Sequence, residues 1–157
     1  MLETFTPLLS SLAGTPDQTF ATSCRFRVTI GPTTLGNFST CSGLACAMEM
    51  KEHHEGGLND HMWKFPTRMT YSDITLTRPL GKSSALLWAW LAAQAHRPLP
   101  LPGEIAALND QGHPLVRWTL DAVVPVQWSG PDLSAASSEV VTETLVIAHH
   151  GFLDIPG

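Results

Sequence analysis

From residue 23 the chain alternates with a period of two. Cys24, Phe26, Val28 and Ile30 fall on one side of an extended backbone, with Ser23, Arg25, Arg27 and Thr29 on the other. Gly31-Pro32 turns the chain, and residues 35–39 begin a second strand, so a hairpin is predicted. Gly43 then marks a bulge or a close backbone approach. Ile74 and Leu76 alternate against Asp73, Thr75 and Thr77 in a strand over residues 71–78. Residues 104–108 pair with residues 115–128 across Asn109-Asp110-Gln111-Gly112, a run that tolerates unusual φ. Along that longer strand Trp118, Leu120, Ala122, Val124, Val126 and Trp128 are predicted to share one face, and Pro125 to impose a bulge or an edge. Residues 140–150 form the last strand.

The period changes once. Residues 85–95 are apolar and rich in alanine and leucine, with Ser83 or Ser84 placed to cap a helix. Leu86 with Trp90, and Leu87 with Leu91, are each four residues apart and share a face. His96-Arg97 suits the negative end of the helix dipole, and Pro98, Pro100 and Pro102 forbid continuation. The expected architecture is mainly β, with one helix plugging the end or side of a sheet. The expected core is Phe26, Val28, Ile74, Leu76, Trp90, Trp118, Leu120, Val124, Trp128, Leu145 and Ile147. Residues 1–22 read as an N-terminal extension, with Leu8, Leu9 and Leu12 after Pro7 and a linker at Gly14, Pro16 and Asp17; residues 23–157 read as one β domain.

Residues 47–67 stand apart. Met48 and Met50 alternate with Glu49 and Lys51 on an ascending arm, Glu55-Gly56-Gly57 lies near a tip, and Met62, Trp63 and Phe65 return. This polar ribbon gains little for a compact monomer. Its Met and Trp residues pack on their own barrel or anchor one subunit on another, where Met and aromatics are enriched. The predicted inter-subunit residues are Glu49, Lys51, Glu52, Glu55, Gly56, Gly57, Met62, Trp63, Lys64 and Arg68.

Composition narrows the function. With 157 residues the chain fits one domain, and 43% hydrophobic against 15% charged residues makes it globular and lightly charged. A net charge of -5 with no basic run argues against nucleic-acid binding. Twelve glycines and twelve prolines are too many for a helical bundle. Three cysteines (Cys24, Cys41, Cys46) lack metal-type spacing and suit reduced thiols in a cytoplasmic protein. The start lacks the basic region of a signal peptide, and no stretch reaches the ~18–20 apolar residues that span a bilayer. Synthesis in the cytoplasm is expected.

Chemistry-bearing candidates are few. His53-His54 and His149-His150 are adjacent pairs whose members face opposite sides of a strand, so neither pair clamps a metal alone; solvated or interface histidines are expected. Cys41 and Ser42 lack a GxSxG elbow or features that activate a thiol. Glu49, Glu52 and Glu55 alternate faces and make a poor acid–base pair, and Gly56-Gly57 lacks the rest of a phosphate loop. No catalysis, cofactor or metal is expected. A small ligand-binding barrel, holding a molecule beneath Trp118 and Trp128, is a further alternative.

Several segments in order resemble the tail-tube family of contractile phages and extracellular contractile injection systems. They are Phe26-Arg27-Val28-Thr29-Ile30, Cys41-Ser42-Gly43-Leu44, the acidic residues 52–55 with Gly-Gly, Lys64-Phe65-Pro66-Thr67-Arg68, residues 71–78, the Trp-bearing helix and residues 143–151. The resemblance implies a tail-tube-like β-barrel or sandwich with one flanking helix and a long protruding hairpin. It implies hexameric rings stacked around a hollow channel, with the hairpin contacting neighbouring protomers and rings. Sheath subunits, baseplate proteins and lumen cargo are the implied partners, inside an assembled particle. A tube initiator or baseplate adaptor ring of the same fold is the alternative role. Alternation suggests Thr75, Thr77, Thr142 and Thr144 as lumen-lining.

Overall fold

A computed structural model describes residues 25–53, 57, 63–136 and 138–152. The predicted extension over residues 1–22, and the interface candidates Glu55, Gly56 and Met62, lie outside the described residues.

Among the described residues, ten strands and one helix follow in the order β1 (Arg25–Ile30), β2 (Thr33–Phe38), β3 (Thr40–Ser42), β4 (Cys46–His53), β5 (Trp63–Tyr71), β6 (Ile74–Pro79), α1 (Ser84–His96), β7 (Leu101–Leu108), β8 (Pro114–Ser129), β9 (Thr142–Ala148) and β10 (Gly151–Phe152). The main sheet is antiparallel throughout, ordered β2-β1-β7-β8-β9-β6-β3, with β10 paired to β8. Its two ends, β2 and β3, are separated in the chain by Ser39 alone. Ser39 crosses over by giving both its amide and its hydroxyl to the Thr77 carbonyl, each at 2.9 Å. One continuous strand thus pairs first with β1 and then with β6, and the sheet closes on itself. Closure removes the free edges that an open sheet would carry.

β8 makes the second corner. Its first part pairs with β7 and its last part with β9. Between them Ala122 takes a left-handed φ of 50°, and the facing of side chains shifts by one residue. Leu120 and Val123 are buried; Val124 is only half-buried and Val126 is exposed. The predicted uninterrupted stripe from Trp118 to Trp128 is therefore corrected, and Val123 takes the core position expected of Val124. A bulge between Pro125 and Gln127, where proline lacks an amide to donate, turns Trp128 back toward the core.

The interior is filled with side chains. Val28, Ile30, Leu35, Phe38, Ile74, Leu76, Ile105, Leu120, Val123, Leu145 and Ile147 form one buried cluster, closed by Leu87 and Trp90 of α1. Phe26, Trp118 and Trp128 pack on it half-buried. A filled interior is a poor container for a ligand beneath the two tryptophans. The helix departs from expectation in two ways. Ser83 stands at the N-cap without a side-chain capping bond, and the Ser84 hydroxyl instead accepts from the Gly81 amide and donates to Glu143. Leu86, predicted to share Trp90's buried face, is exposed, because α1 turns Ser84, Leu87, Trp90 and Gln94 inward.

A charged cluster pins this corner. Arg78 is in phase with Ile74 and Leu76, so it points inward. Directly opposite, Glu143 is in phase with Leu145 and Ile147. Arg78 Nε donates to Glu143 Oε1 at 2.6 Å, Nη1 to the Leu35 carbonyl at 2.5 Å and Nη2 to the Ser83 carbonyl at 3.0 Å. Its guanidinium lies 4.5 Å from the centre of the Phe38 ring. Trp128 Nε1 donates to the second Glu143 oxygen at 3.2 Å. Gly36, at φ 102°, leaves the room: a Cβ there would sit 2.9 Å from Arg78 Nη1. The cluster ties β2, β6, β8, β9 and the start of α1 together.

Candidate interaction site: an unpartnered ribbon

β4 and β5 belong to a separate two-stranded sheet. The chain enters it at Gly43, whose φ is 89° and where a Cβ would lie 2.1 Å from the Asp73 carbonyl oxygen, so only glycine fits. It leaves through Ser72, whose amide donates to the Ala45 carbonyl at 3.2 Å. The predicted strand over residues 71–78 is interrupted here: Tyr71 ends β5 and Ile74 starts β6. Tyr71 anchors the root against His149 and Phe152, with ring centres 5.5 Å and 5.4 Å away.

Beyond the root every described ribbon residue is exposed. Register assigns the faces, because directly opposite residues share one. Met48 faces Met69, Met50 faces Pro66, and Glu52 faces Lys64. Met48, Met50 and Glu52 alternate with Glu49, Lys51 and His53, so one face is lined by methionine and proline. On the other, Lys51 faces Phe65 and His53 faces Trp63. A bulge opposite Glu49 brings it to Arg68, whose Nε donates to Oε2 at 2.7 Å. That hydrogen bond, then the carboxylate's charge, holds the Arg68 guanidinium more firmly protonated than usual. Lys64 and Glu52 approach to 3.8 Å. Gly57, at φ 135°, has nothing within 4 Å of where a Cβ would be.

Met48, Met50, Trp63, Phe65 and Met69 are between 43% and 58% exposed. Among the described residues no further strand pairs with either ribbon edge. Exposed apolar side chains on an unpaired edge make a surface for another chain. Of the predicted interface residues, the structure brings together Glu49 with Arg68 and Glu52 with Lys64, and sets Lys51 and Trp63 on the Glu49 face. The sequence reading missed Met69, whose place beside Met48 follows only from the register.

The other candidates do not assemble into chemistry. Among the described residues no three His, Cys, Asp or Glu side chains converge as metal ligands. His149, expected to be solvated or at an interface, is buried: its Nδ1 accepts from the Gly151 amide at 3.2 Å and its Nε2 has no partner among the described residues. His150 is exposed and His54 lies outside the described residues. The Cys41 thiol is pushed up to about 11 by burial, the opposite of an activated nucleophile. Among the described residues no helix is long and apolar enough to cross a membrane.

Comparison with known proteins agrees with this geometry. The family described as T4-like virus tail tube protein gp19 matches residues 22–153. No curated protein matches significantly. A solved structure described as an extracellular contractile injection system, PVC sheath-tube complex in extended state, is similar with a TM-score of 0.72 and 21% identity, over 92% of this chain and 95% of that one. The anti-feeding prophage baseplate gives 0.68 and 24%, over 88% and 95%. The anti-feeding prophage cap, described as tube-terminating, gives 0.68 and 24%, over 85% and 89%. At these identities the likeness speaks to the fold.

Proposed function

The chain belongs to the T4-like virus tail tube protein family, and from that premise we propose that it is a structural, non-catalytic subunit of the inner tube of a contractile injection particle. Copies assemble into hexameric rings that stack around a hollow channel. Sheath subunits surround the tube and baseplate proteins seat its first ring. The observation that carries this reading is the ribbon: exposed apolar side chains on both faces and, among the described residues, two unpaired edges, on a domain whose own barrel is already closed. Among the described residues the closed barrel offers the ribbon no further strand, and a second copy supplies one. Similarity to structures described as sheath-tube complex, baseplate and cap supports the particle context.

The baseplate and cap likenesses also support a second role, a ring at one end of the tube. Quantitative mass spectrometry of particles separates the two. A main tube subunit is present in many copies per baseplate, an end ring in about one hexamer.

Electron microscopy of the purified chain tests the assembly itself. Rings or hollow rods are expected, and a strictly monomeric species at high concentration overturns the reading. Replacing Gly56 and Gly57 by valines is expected to impair stacking while the domain stays soluble. Normal polymerisation of that variant would show that the tip is not the stacking element.

A further inference from the structure

The face of β1, β7 and β8 that turns away from the core joins buried apolar surface to positive charge. Arg25 is directly opposite Leu108, and Ala106 lies between Arg27 and Arg117, so all five share this face. Leu108 is 1% exposed. Among the described residues it alone, of the large apolar side chains that are fully buried, stands outside the core cluster. Arg25, Arg27 and Arg117 are exposed, and Arg27 and Arg117 have no ion pair among the described residues. Glu104 comes one row further on, between Thr29 and Thr119.

We propose that residues 1–24 fold back over this face of their own chain. Leu8, Leu9 and Leu12 seat on Leu108 and Ala106, and the carboxylates of Glu3 and Asp17 turn toward the arginines. The extension is then a built-in cover for a face that holds three of the nine Lys and Arg residues in a chain of net charge -5. It keeps that face from the acidic surfaces of other copies. The inference needs no assembly and stands apart from the tube reading.

Position favours this occupant, because residue 24 leads straight into Arg25, opposite Leu108. Reach favours it too. The ten residues 15–24 extend to about 33 Å, more than the roughly 20 Å of β1, so residues 8–12 can return to Leu108. Residues 153–157 are a poorer cover. Phe152 is opposite Leu120, about 17 Å along the sheet and two strands from Leu108, at or beyond the reach of five residues. Charge is complementary: residues 1–24 contain Glu3 and Asp17 and no lysine or arginine. Leu2, Phe5, Leu8, Leu9 and Leu12 fall within eleven residues, and burying them on Leu108 and Ala106 is favourable. The family match begins at residue 22, so nearly all of this segment lies outside the matched domain.

Photo-crosslinking tests the contact. Leu9→p-benzoylphenylalanine is placed in the full chain, in an equal mixture of ordinary and heavy-isotope-labelled copies. Links to residues 25–27 or 104–117 are expected, with both linked peptides of one isotope. Links of mixed isotope put the segment on a neighbouring copy, and links to α1 or the ribbon put it elsewhere. Either result overturns the proposal, as does finding no link to this face.

Limited chymotrypsin digestion tests the charge, since Phe5, Leu8, Leu9 and Phe20 offer cleavage sites within the segment. Arg27→Glu with Arg117→Glu changes two exposed positions and is expected to keep the wild-type melting temperature within a few degrees. Cleavage within residues 1–24 is expected to be about tenfold faster in this variant, because the cover opens more often. Adding Glu3→Arg and Asp17→Arg is expected to restore slow cleavage, which a merely weakened domain would not show. Unchanged cleavage in the double variant, or no recovery in the fourfold one, overturns the proposal.

Discussion

Two arginine–glutamate pairs in this molecule have nearly the same geometry, 2.6 Å for Arg78–Glu143 and 2.7 Å for Arg68–Glu49. Both join adjacent antiparallel strands. Their surroundings differ completely: the first pair's side chains are 3% and 0% exposed, the second pair's 75% and 44%. In the barrel wall, losing one partner strands a charge among apolar side chains. On the ribbon, water replaces whatever is lost. The same bond is therefore structural in one region and nearly silent for stability in the other.

The sharpest way to break this contrast is Arg78→Ala. It leaves Glu143 buried with only Ser84 and Trp128 as donors, and should destabilise the domain by about 3–5 kcal/mol in urea unfolding. Trp118→Ala comes next. Trp118 packs on the core from a half-buried position, so the cost should be about 1–3 kcal/mol, below that of a fully buried tryptophan. A third measurement compares the two described thiols. Cys41 lies in the barrel wall and Cys46 at the exposed start of the ribbon. With Cys41 at about 11, roughly 0.1% of it is thiolate at pH 8. Iodoacetamide at pH 8 should therefore label the Cys46 peptide first. Raising the pH toward 11 deprotonates Cys41 and should narrow the gap. The smallest effect on stability belongs to Arg68→Ala, which should leave the urea midpoint unchanged within error. Sedimentation of the assembled species then shows whether the ribbon pair acts only between chains.

Much of the barrel was legible because its strands are half-buried and print an alternation, as in Val28 and Ile30 or Ile74 and Leu76. The helix was legible from its apolar density and the prolines that end it. Its orientation was not: Leu86 and Leu87 are equally apolar, and only docking on β2 selects Leu87 for burial. The Trp118–Trp128 stripe misled because alternation assumes a uniform backbone, and the left-handed turn at Ala122 resets the count. Arg78 and Glu143 did carry a signal, charges in phase with buried positions on two strands, but it becomes readable only when the register puts them opposite each other. The ribbon was visible as an anomaly of composition. Which residues of β5 join Met48 and Met50 on one face depends on a bulge opposite Glu49 that no local pattern announces.

Barrel closure has a consequence for the timing of biogenesis. Val28 pairs with Ile105, and Arg25 with Leu108, so the first strand cannot find its inner neighbour until about 80 further residues have been translated. At 5–20 residues per second that delay is roughly 4–16 s. The ribbon, whose arms are close in sequence, can zip within microseconds of emerging. The nascent polypeptide thus displays this ribbon, with its exposed methionines and aromatics, well before the body that carries it is complete. On polysomes, where neighbouring nascent copies are crowded, premature capture between them is the hazard that this topology creates.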